Sequence, residues 1–375
     1  MNNLTSADSI SAVFMESEEF RDSPLCPLFT LCSIYAGDAI SSDDLSGEKA
    51  IPVYGSNGIR SYADKANHLE DQVLVGRQGS VGTVHFAEAP FWAAEHALIV
   101  EPRTPRVSKS WLKYVLEAID LSRLSRAVAQ PGINATSVSF QRVPHIPFEQ
   151  QKVIGDYLDR ETAEIDAAVA DLDKYVELLN VKLESASREV FTELSANHPL
   201  IQTKFLVDIT TGSGDTQDSQ ENGGFPFYVR SDTIQRAEDF EFDCEAVLTS
   251  GDGAGVGKIF HLAGGKFKAH QRVYVMHNFK RVSPQYFYWM FKSAFPDAIR
   301  YGGAKSTVDS VRRPMIANLK IPVPDHDAQE KASKRIEKLH HEVSTLIAKS
   351  TKLRDLLLKR RSVLITEVVT GRKQV

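Results

Sequence analysis

The sequence predicts an α+β protein: two pseudo-symmetric mixed α/β domains separated by an antiparallel two-helix coiled coil. Three observations carry that prediction. Short landmarks recur along the 375 residues at a nearly constant offset. Two long stretches carry apolar residues at helical spacing with almost no Gly or Pro. Those two stretches also carry opposite net charge.

The offset comes first, because internal repeats decide how everything else is read. Pro52-Val53-Tyr54 matches Pro226-Phe227-Tyr228 at 174 residues, and Gly79-Ser80-Val81-Gly82 matches Ala254-Gly255-Val256-Gly257 at 175. His96 matches His270 at 174, Ile146-Pro147 matches Ile321-Pro322 at 175, and Thr192-Glu193 matches Thr366-Glu367 at 174. Gln150 and Gln329 stand 179 apart, which predicts a short insertion in the second copy. One unit of about 175 residues is duplicated.

Within each unit the texture changes once. The first part is rich in Gly, Pro, β-branched and aromatic residues, and Gln72–Val75, Thr83–Phe86 and Ala97–Val100 are predicted as short strands. Gly55-Ser56-Asn57-Gly58 and Gly212-Ser213-Gly214-Asp215 are turn signals. Ser108 and Ser283-Pro284 are predicted helix starts before Trp111–Leu116 and Tyr286–Phe291. The aromatic cluster in the latter fits a core better than a base-stacking platform.

The last part of each unit is helical. From Glu149 to Leu194 the only Gly or Pro is Gly155, and Ile154, Leu158, Ile165, Val169, Leu172, Val176, Leu179, Leu183, Ala186, Val190 and Leu194 form a coiled-coil seam. The second stripe runs Ala332, Ile336, Leu339, Val343, Leu346, Leu353, Leu357, Leu364 and Val368, interrupted at Ser350 and Arg360, and Gly371 ends it. Residues 149–194 hold twelve acidic and five basic residues, whereas 327–373 hold six acidic and twelve basic. Opposite charge favours pairing the two with each other over pairing each with its own copy. About forty helical residues span roughly 60 Å, so the pair is both a clamp and a ruler with a domain at each end. The predicted boundaries are an acidic extension at 1–20, a domain at 21–147, a long helix at 148–197, a domain at 198–324, and a second helix with the C-terminus at 325–375.

Composition narrows the function. The net charge of −5, taken alone, argues against nucleic acid, but its distribution argues the other way. Residues 215–252 hold ten acids and two bases, and residues 258–320 hold twelve bases and two acids. Residues 103–146 hold seven bases and two acids. Such basic runs suit phosphate contact. Cys26, Cys32 and Cys244 lack metal-ligand or disulfide spacing and fit buried positions in a cytoplasmic protein. The N-terminus lacks a signal-peptide pattern, and no apolar run reaches membrane-spanning length.

No catalytic constellation stands out. There is no Pro-Pro dipeptide for an amino-methyltransferase motif, and no lysine has an acid two positions before it, as a common nuclease core needs. Gly251–Lys258 fails the P-loop template, since Asp252 stands at its first glycine and Ile259 follows the lysine. It is predicted as a glycine-rich turn between strands. His340-His341 cannot both face one metal from one helix.

The order of domain, helix, domain, helix resembles the DNA-specificity subunits of type I restriction–modification enzymes. Four motifs carry the resemblance: Pro52–Gly58, Val75–Val84, Ile146–Ile154 with its Pro-x-Glu-Gln opening, and Ile365–Gly371. The second helix opens differently, with Gln329-Glu330 where the first has Glu149-Gln150. The resemblance implies that each globular part is a target-recognition domain reading one half of a split double-stranded DNA site. It implies two docked methyltransferase (modification) subunits and two restriction subunits. It also implies that S-adenosylmethionine, ATP and Mg²⁺ are used by those partners and that this chain carries no cofactor, metal or catalytic residue. Readout requires side chains that reach base edges. The residues at turns that could do so are Ser56, Asn57, Arg60, Arg77 and Gln78 in the first domain, and Arg230, Arg272, Lys305, Ser306 and Thr307 in the second. The alternatives are a non-catalytic protein-interaction scaffold and a stand-alone divergent DNA methyltransferase.

Overall fold

The computed structural model describes residues 25–45, 51–125, 132–301 and 310–375; the predicted extension at 1–20 lies outside them. The chain divides into two compact units, residues 1–172 with 352–375, and residues 173–351. Each unit therefore combines one globular part with the beginning of one long helix and the end of the other.

In the first unit β1 (Leu25–Pro27) pairs with β9 (Arg142–Pro144). Its main sheet has the order β2 (Cys32–Ala36), β8 (Ala97–Pro102), β5 (Gln72–Gly76), β6 (Val84–Ala87), all antiparallel. A smaller sheet has the order β4 (Gly58–Ala63), β3 (Ile51–Gly55), β7 (Trp92–Ala93). Strand β5 is buried along its whole length because both faces are covered. Val73 and Val75 pack with Trp111, Leu112 and Val115 of helix α1 (Lys109–Ile119), while Leu74 packs with Phe91 and Ala93 beside the small sheet. A short helix α2 (Ala135–Ser139) is closed by an Asn134–Ser137 capping box. The long helix α3 (Phe148–Asn197) then begins.

The second unit repeats this plan. β10 (Leu200–Gln202) pairs with β19 (Lys320–Pro322). The main sheet has the order β11 (Asp208–Thr211), β18 (Val273–His277), β15 (Ala246–Ser250), β16 (Phe260–Ala263). The small sheet has the order β13 (Gln235–Ala237), β12 (Phe225–Tyr228), β17 (Lys266–Ala269), β14 (Phe242–Asp243). Helix α4 (Pro284–Tyr301) packs on the main sheet, with Tyr286, Phe287 and Phe291 fully buried, so the aromatic cluster is core. Helix α5 (Arg313–Ala317) precedes β19, and α6 (His326–Val369) is the second long helix. The Gly251–Lys258 segment is the connection between β15 and β16, as predicted. Its Gly257 has φ +67°, matching Gly82 at +79°. A Cβ on Gly82 would come within 2.4 Å of the Ser122 nitrogen, so only glycine fits.

Strand register corrects part of the predicted repeat. Tyr54 pairs with Ala93 and Tyr228 with Ala269, so the offset grows from 174 to 176 between those strands. His270 therefore stands where Ala94 does; each donates its backbone N–H to the Tyr54 or Tyr228 carbonyl at 2.9 Å. The residue matching His96 is Arg272. A two-residue insertion between strands, disguised by the shared histidine, explains the misreading. The helix openings are corrected too. Gln151 accepts from Ser108 N–H (2.9 Å) and donates to the Ile146 carbonyl (3.0 Å). Gln329 accepts from Ser283 N–H (3.1 Å) and donates to the Pro324 carbonyl (3.0 Å). The matching pairs are thus Gln151 with Gln329 and Ile146 with Pro324, both at 178, rather than Gln150 with Gln329 or Ile146 with Ile321. Ser108 and Ser283 also cap α1 and α4, accepting from Trp111 N–H and Tyr286 N–H at 3.3 and 3.2 Å.

One buried amide side chain thus ties the start of each long helix to the start of the helix on its sheet. Gln151→Ala leaves a part-buried N–H and a buried carbonyl without their partner. The expected cost is about 2 kcal/mol, read as a lower urea midpoint at unchanged slope, and Gln329→Ala behaves alike.

The long helices pair antiparallel within both units. In the first, Ile154 and Leu158 of α3 share a core with Ile365, Val368 and Val369 of α6. In the second, Val190 of α3 shares a core with Ala332 and Ile336 of α6. All eleven predicted seam positions of α3 are buried or half-buried. The α6 seam differs from the prediction after Val343. Leu346 and Leu353 are 40% and 49% exposed, while Ile347, Ser350, Arg354, Leu357 and Arg361 lie on the covered side. The stripe follows the true helical phase even where that phase puts polar residues inside.

Candidate nucleic-acid interface

In the first unit the end of the main sheet and the β3–β4 hairpin meet. Ser56 follows β3, and its hydroxyl donates to the His96 carbonyl at 2.7 Å while accepting from Gln78 N–H at 3.2 Å. Thr83 Oγ1 donates to the Ser56 carbonyl. Arg77 donates from its guanidinium to the Glu95 carbonyl at 3.4 Å. The Glu95 carboxylate lies 3.3 Å from His96 Nε2 and 3.8 Å from the Arg60 guanidinium. Asn57 is exposed at the tip of the hairpin. Four of the five residues singled out in this domain, Ser56, Arg60, Arg77 and Gln78, thus belong to one polar, partly exposed cluster, and Asn57 is next to it in sequence. Glu95, which ties it together, was missed; its one sequence signal is a lone acid inside the apolar run from Phe91 to Val100.

In the second unit Arg230 and Arg272 also meet. One carboxylate holds both: Asp252 Oδ1 accepts from Arg230 at 2.8 Å and Oδ2 from Arg272 at 2.9 Å. Asp252 is 18% exposed, but the two arginine side chains are 46% and 62% exposed. A half-buried acid therefore fixes two guanidinium forks that face solvent, an arrangement suited to bidentate acceptors. His270 is held below its ordinary range by burial and then by Arg230. Its Nδ1 accepts from Arg272 N–H at 3.0 Å, which places the ring proton on Nε2. Asp252, too, was missed as a site residue. Lys305, Ser306 and Thr307 lie outside the described residues.

The two clusters occupy equivalent backbone positions. Gln78 bridges to Gly132 and Asp252 to Ser310, and Ile133 and Val311 donate to the Arg77 and Gly251 carbonyls at 3.0 and 2.8 Å. Gln78 thus corresponds to Asp252, and His96 to Arg272. Ser56 and Arg230 each stand two residues past equivalent positions, Tyr54 and Tyr228. The same three places carry Ser, Gln and His in one unit and Arg, Asp and Arg in the other.

The basic run at 258–320 is less free than its charge suggests. Lys268 is 11% exposed and lies 2.8 and 3.2 Å from Asp239 and Asp218 of the acidic run. Arg272 meets Asp252, and Lys280 lies 3.2 Å from Asp208. Part of the basic run therefore neutralises the acidic one within the fold. Among the described residues no group of three or more His, Cys, Asp or Glu is placed to hold a metal. Burial drives the Cys32 thiol up to about 12, so it is an inert core group.

Two copies of one fold, each presenting different side chains at equivalent turns and each packed on the same pair of helices, define a duplicated recognition protein. The chain belongs to the type I restriction modification DNA specificity domain family, whose model matches residues 28–170 and again 204–353. It is similar to the type I restriction enzyme EcoprrI specificity subunit of Escherichia coli, 31% identical over 130 residues, covering 33% of this chain and 32% of that protein. It is also similar to the EcoDI specificity subunit of Escherichia coli, 24% identical over 166 residues, covering 44% of this chain and 36% of that protein. The matched stretches span about a third of the length of these curated relatives. A solved structure described as the basis of complex assembly and conformational transition of the type I R-M system shares the fold, with TM-score 0.66 and 12% identity over 92% of this chain and 97% of that one. No helix among the described residues is long and apolar enough to cross a membrane.

Proposed function

We propose that this chain is the specificity subunit of a type I restriction–modification complex, reading a bipartite double-stranded DNA site while its partners do the chemistry. The observation that carries this reading is the pair of clusters just described. Equivalent turns with different donors and acceptors are what two half-sites of unlike sequence require. Residues 21–147 read the 5′ half and residues 198–324 the 3′ half. The paired helices set the spacer between them, since successive major-groove faces recur every ~34–36 Å.

The same helices dock the partners. Tyr175, Leu178, Val181 and Leu346 are exposed in the second unit, and Leu353, Leu356, Leu358 and Val363 in the first. Apolar side chains in such number on a helical surface mark a protein interface. Two methyltransferase subunits and two restriction subunits are the partners. S-adenosylmethionine, ATP and Mg²⁺ are bound by them and none by this chain, which acts in the cytoplasm and away from membranes.

Methylome sequencing of a host carrying this chain with its methyltransferase subunit tests the reading. A split, adenine-methylated motif is expected. Methyl transfer by the purified chain alone, or no new motif with the partner present, overturns it.

A further inference from the structure

The pseudo-symmetry exposes a difference beside the main sheets. In the first unit the space between α1 and the paired long helices is closed by polar groups of this chain. The Tyr114 hydroxyl lies 2.8 Å from both Asp159 and Thr162. The Arg361 guanidinium lies 2.7 Å from Glu117 and 2.8 Å from Asp166. The second unit carries other residues at these places. The offsets set by Ser108 and Ser283, by Gln151 and Gln329, and by Thr192 and Thr366 identify them. Trp289 replaces Tyr114, Lys292 replaces Glu117, His340 replaces Thr162, Ser344 replaces Asp166, and Ser187 replaces Arg361.

The arginine that fills the first space is therefore a serine in the second, and the carboxylate that holds it is a lysine. A cleft of about 790 Å³ is left open. Its walls include Leu183, Val256, Phe260 and Ile299, and its rim includes Lys258 and Lys292. Arg188 and Arg300 also line it, but Asp297 lies 3.1 and 3.6 Å from them. Among the described residues Glu184 is the one acid on the lining. Lys258 and Lys292 meet no carboxylate among the described residues; Lys292 rests 3.3 Å from the Tyr288 hydroxyl and over the Trp289 ring. Trp289 is 7% exposed, and its indole N–H is buried with no hydrogen-bond partner among the described residues. A buried donor without an acceptor is a standing cost.

We propose that this cleft is a docking site for a partner polypeptide segment carrying a carboxylate side chain between apolar residues. The counterpart space takes a charged side chain held by groups of opposite sign, and here the sign is reversed, so the incoming group is an acid. The apolar walls favour a peptide over a nucleic-acid backbone, whose phosphates gain nothing from Leu183, Phe260 or Ile299. The proposal stands independently of the DNA reading.

The chain has three tryptophans, so a ¹⁵N-indole spectrum of the full protein is simple, and Trp289→Phe assigns the signal. The probes are an acetylated, amidated Leu-Leu-Glu-Leu-Leu peptide made soluble by a flexible polar tail, its Gln counterpart, and inorganic phosphate. The Glu peptide is expected to shift the Trp289 indole signal saturably, at least tenfold more tightly than the Gln peptide. Lys292→Gln should remove that preference while leaving the other two indole signals in place. A Ser187→Arg, Lys292→Glu, Ser344→Asp variant, which rebuilds the closed arrangement of the first unit, should abolish binding and keep or raise the melting temperature. No saturable shift, equal binding of Glu and Gln peptides, or a phosphate response as strong as that of the peptide overturns the proposal.

Discussion

Arg361→Ala is expected to destabilise the protein by about 3 kcal/mol. The guanidinium is 20% exposed and lies between Glu117, itself 18% exposed, and Asp166. Burial opposes its charge, but Glu117 and Asp166 more than offset that and hold it above its ordinary range. Removing it leaves the Glu117 carboxylate half-buried without a counter-charge. The measurement is the urea midpoint of the full chain. An Arg361→Leu, Glu117→Leu double variant should recover most of the loss, because apolar groups of similar size replace a buried ion pair at little cost. If the double variant falls as far as Arg361→Ala, packing rather than charge carries the effect.

Arg272→Ala is expected to weaken specific DNA binding by the assembled complex by about 5- to 150-fold, as the loss of one bidentate contact of about 1–3 kcal/mol requires. Its guanidinium is held by Asp252 yet remains largely exposed, so the pre-oriented fork is lost with little effect on the fold. A base contact and a phosphate contact give different results. Loss of a base contact relaxes the methylated motif at one position of the 3′ half and leaves the 5′ half unchanged. Loss of a phosphate contact weakens all sequences alike and lowers the salt slope by about one. Asp252→Asn should move both arginines and act in the same half-site. A change confined to the 5′ half would contradict the assignment of residues 198–324.

The architecture was legible because it rests on local, repeated signals. Eleven seam positions on α3 obey one helical period, and every one is covered. Capping serines at 108 and 283 sit before apolar runs and cap the helices there. Ser56, Arg77 and Gln78 could be read as turn residues, but Arg60 lies within β4, and that these four converge was decided by the fold. Registers were less legible. Identical letters at His96 and His270 hid an insertion that only the pairing of Tyr54 with Ala93 and of Tyr228 with Ala269 reveals. On α6 the leucines at 346 and 353 suggested a seam, but the phase carried from Val343 leaves both exposed.

By itself the sequence determined the duplication, the two long helices with their opposite charges, and the resemblance to specificity subunits. These are properties of order and period along the chain, and neighbouring residues suffice to encode them. Only the tertiary structure decided which charges neutralise one another. Asp252 was a flaw in a phosphate-loop pattern until the fold brought it between Arg230 and Arg272, and Arg361 was an unremarked surface cation until α6 carried it to Glu117, 244 residues away. Coulomb energy depends on distance in space and on burial, and neither can be read from positions so far apart in the chain.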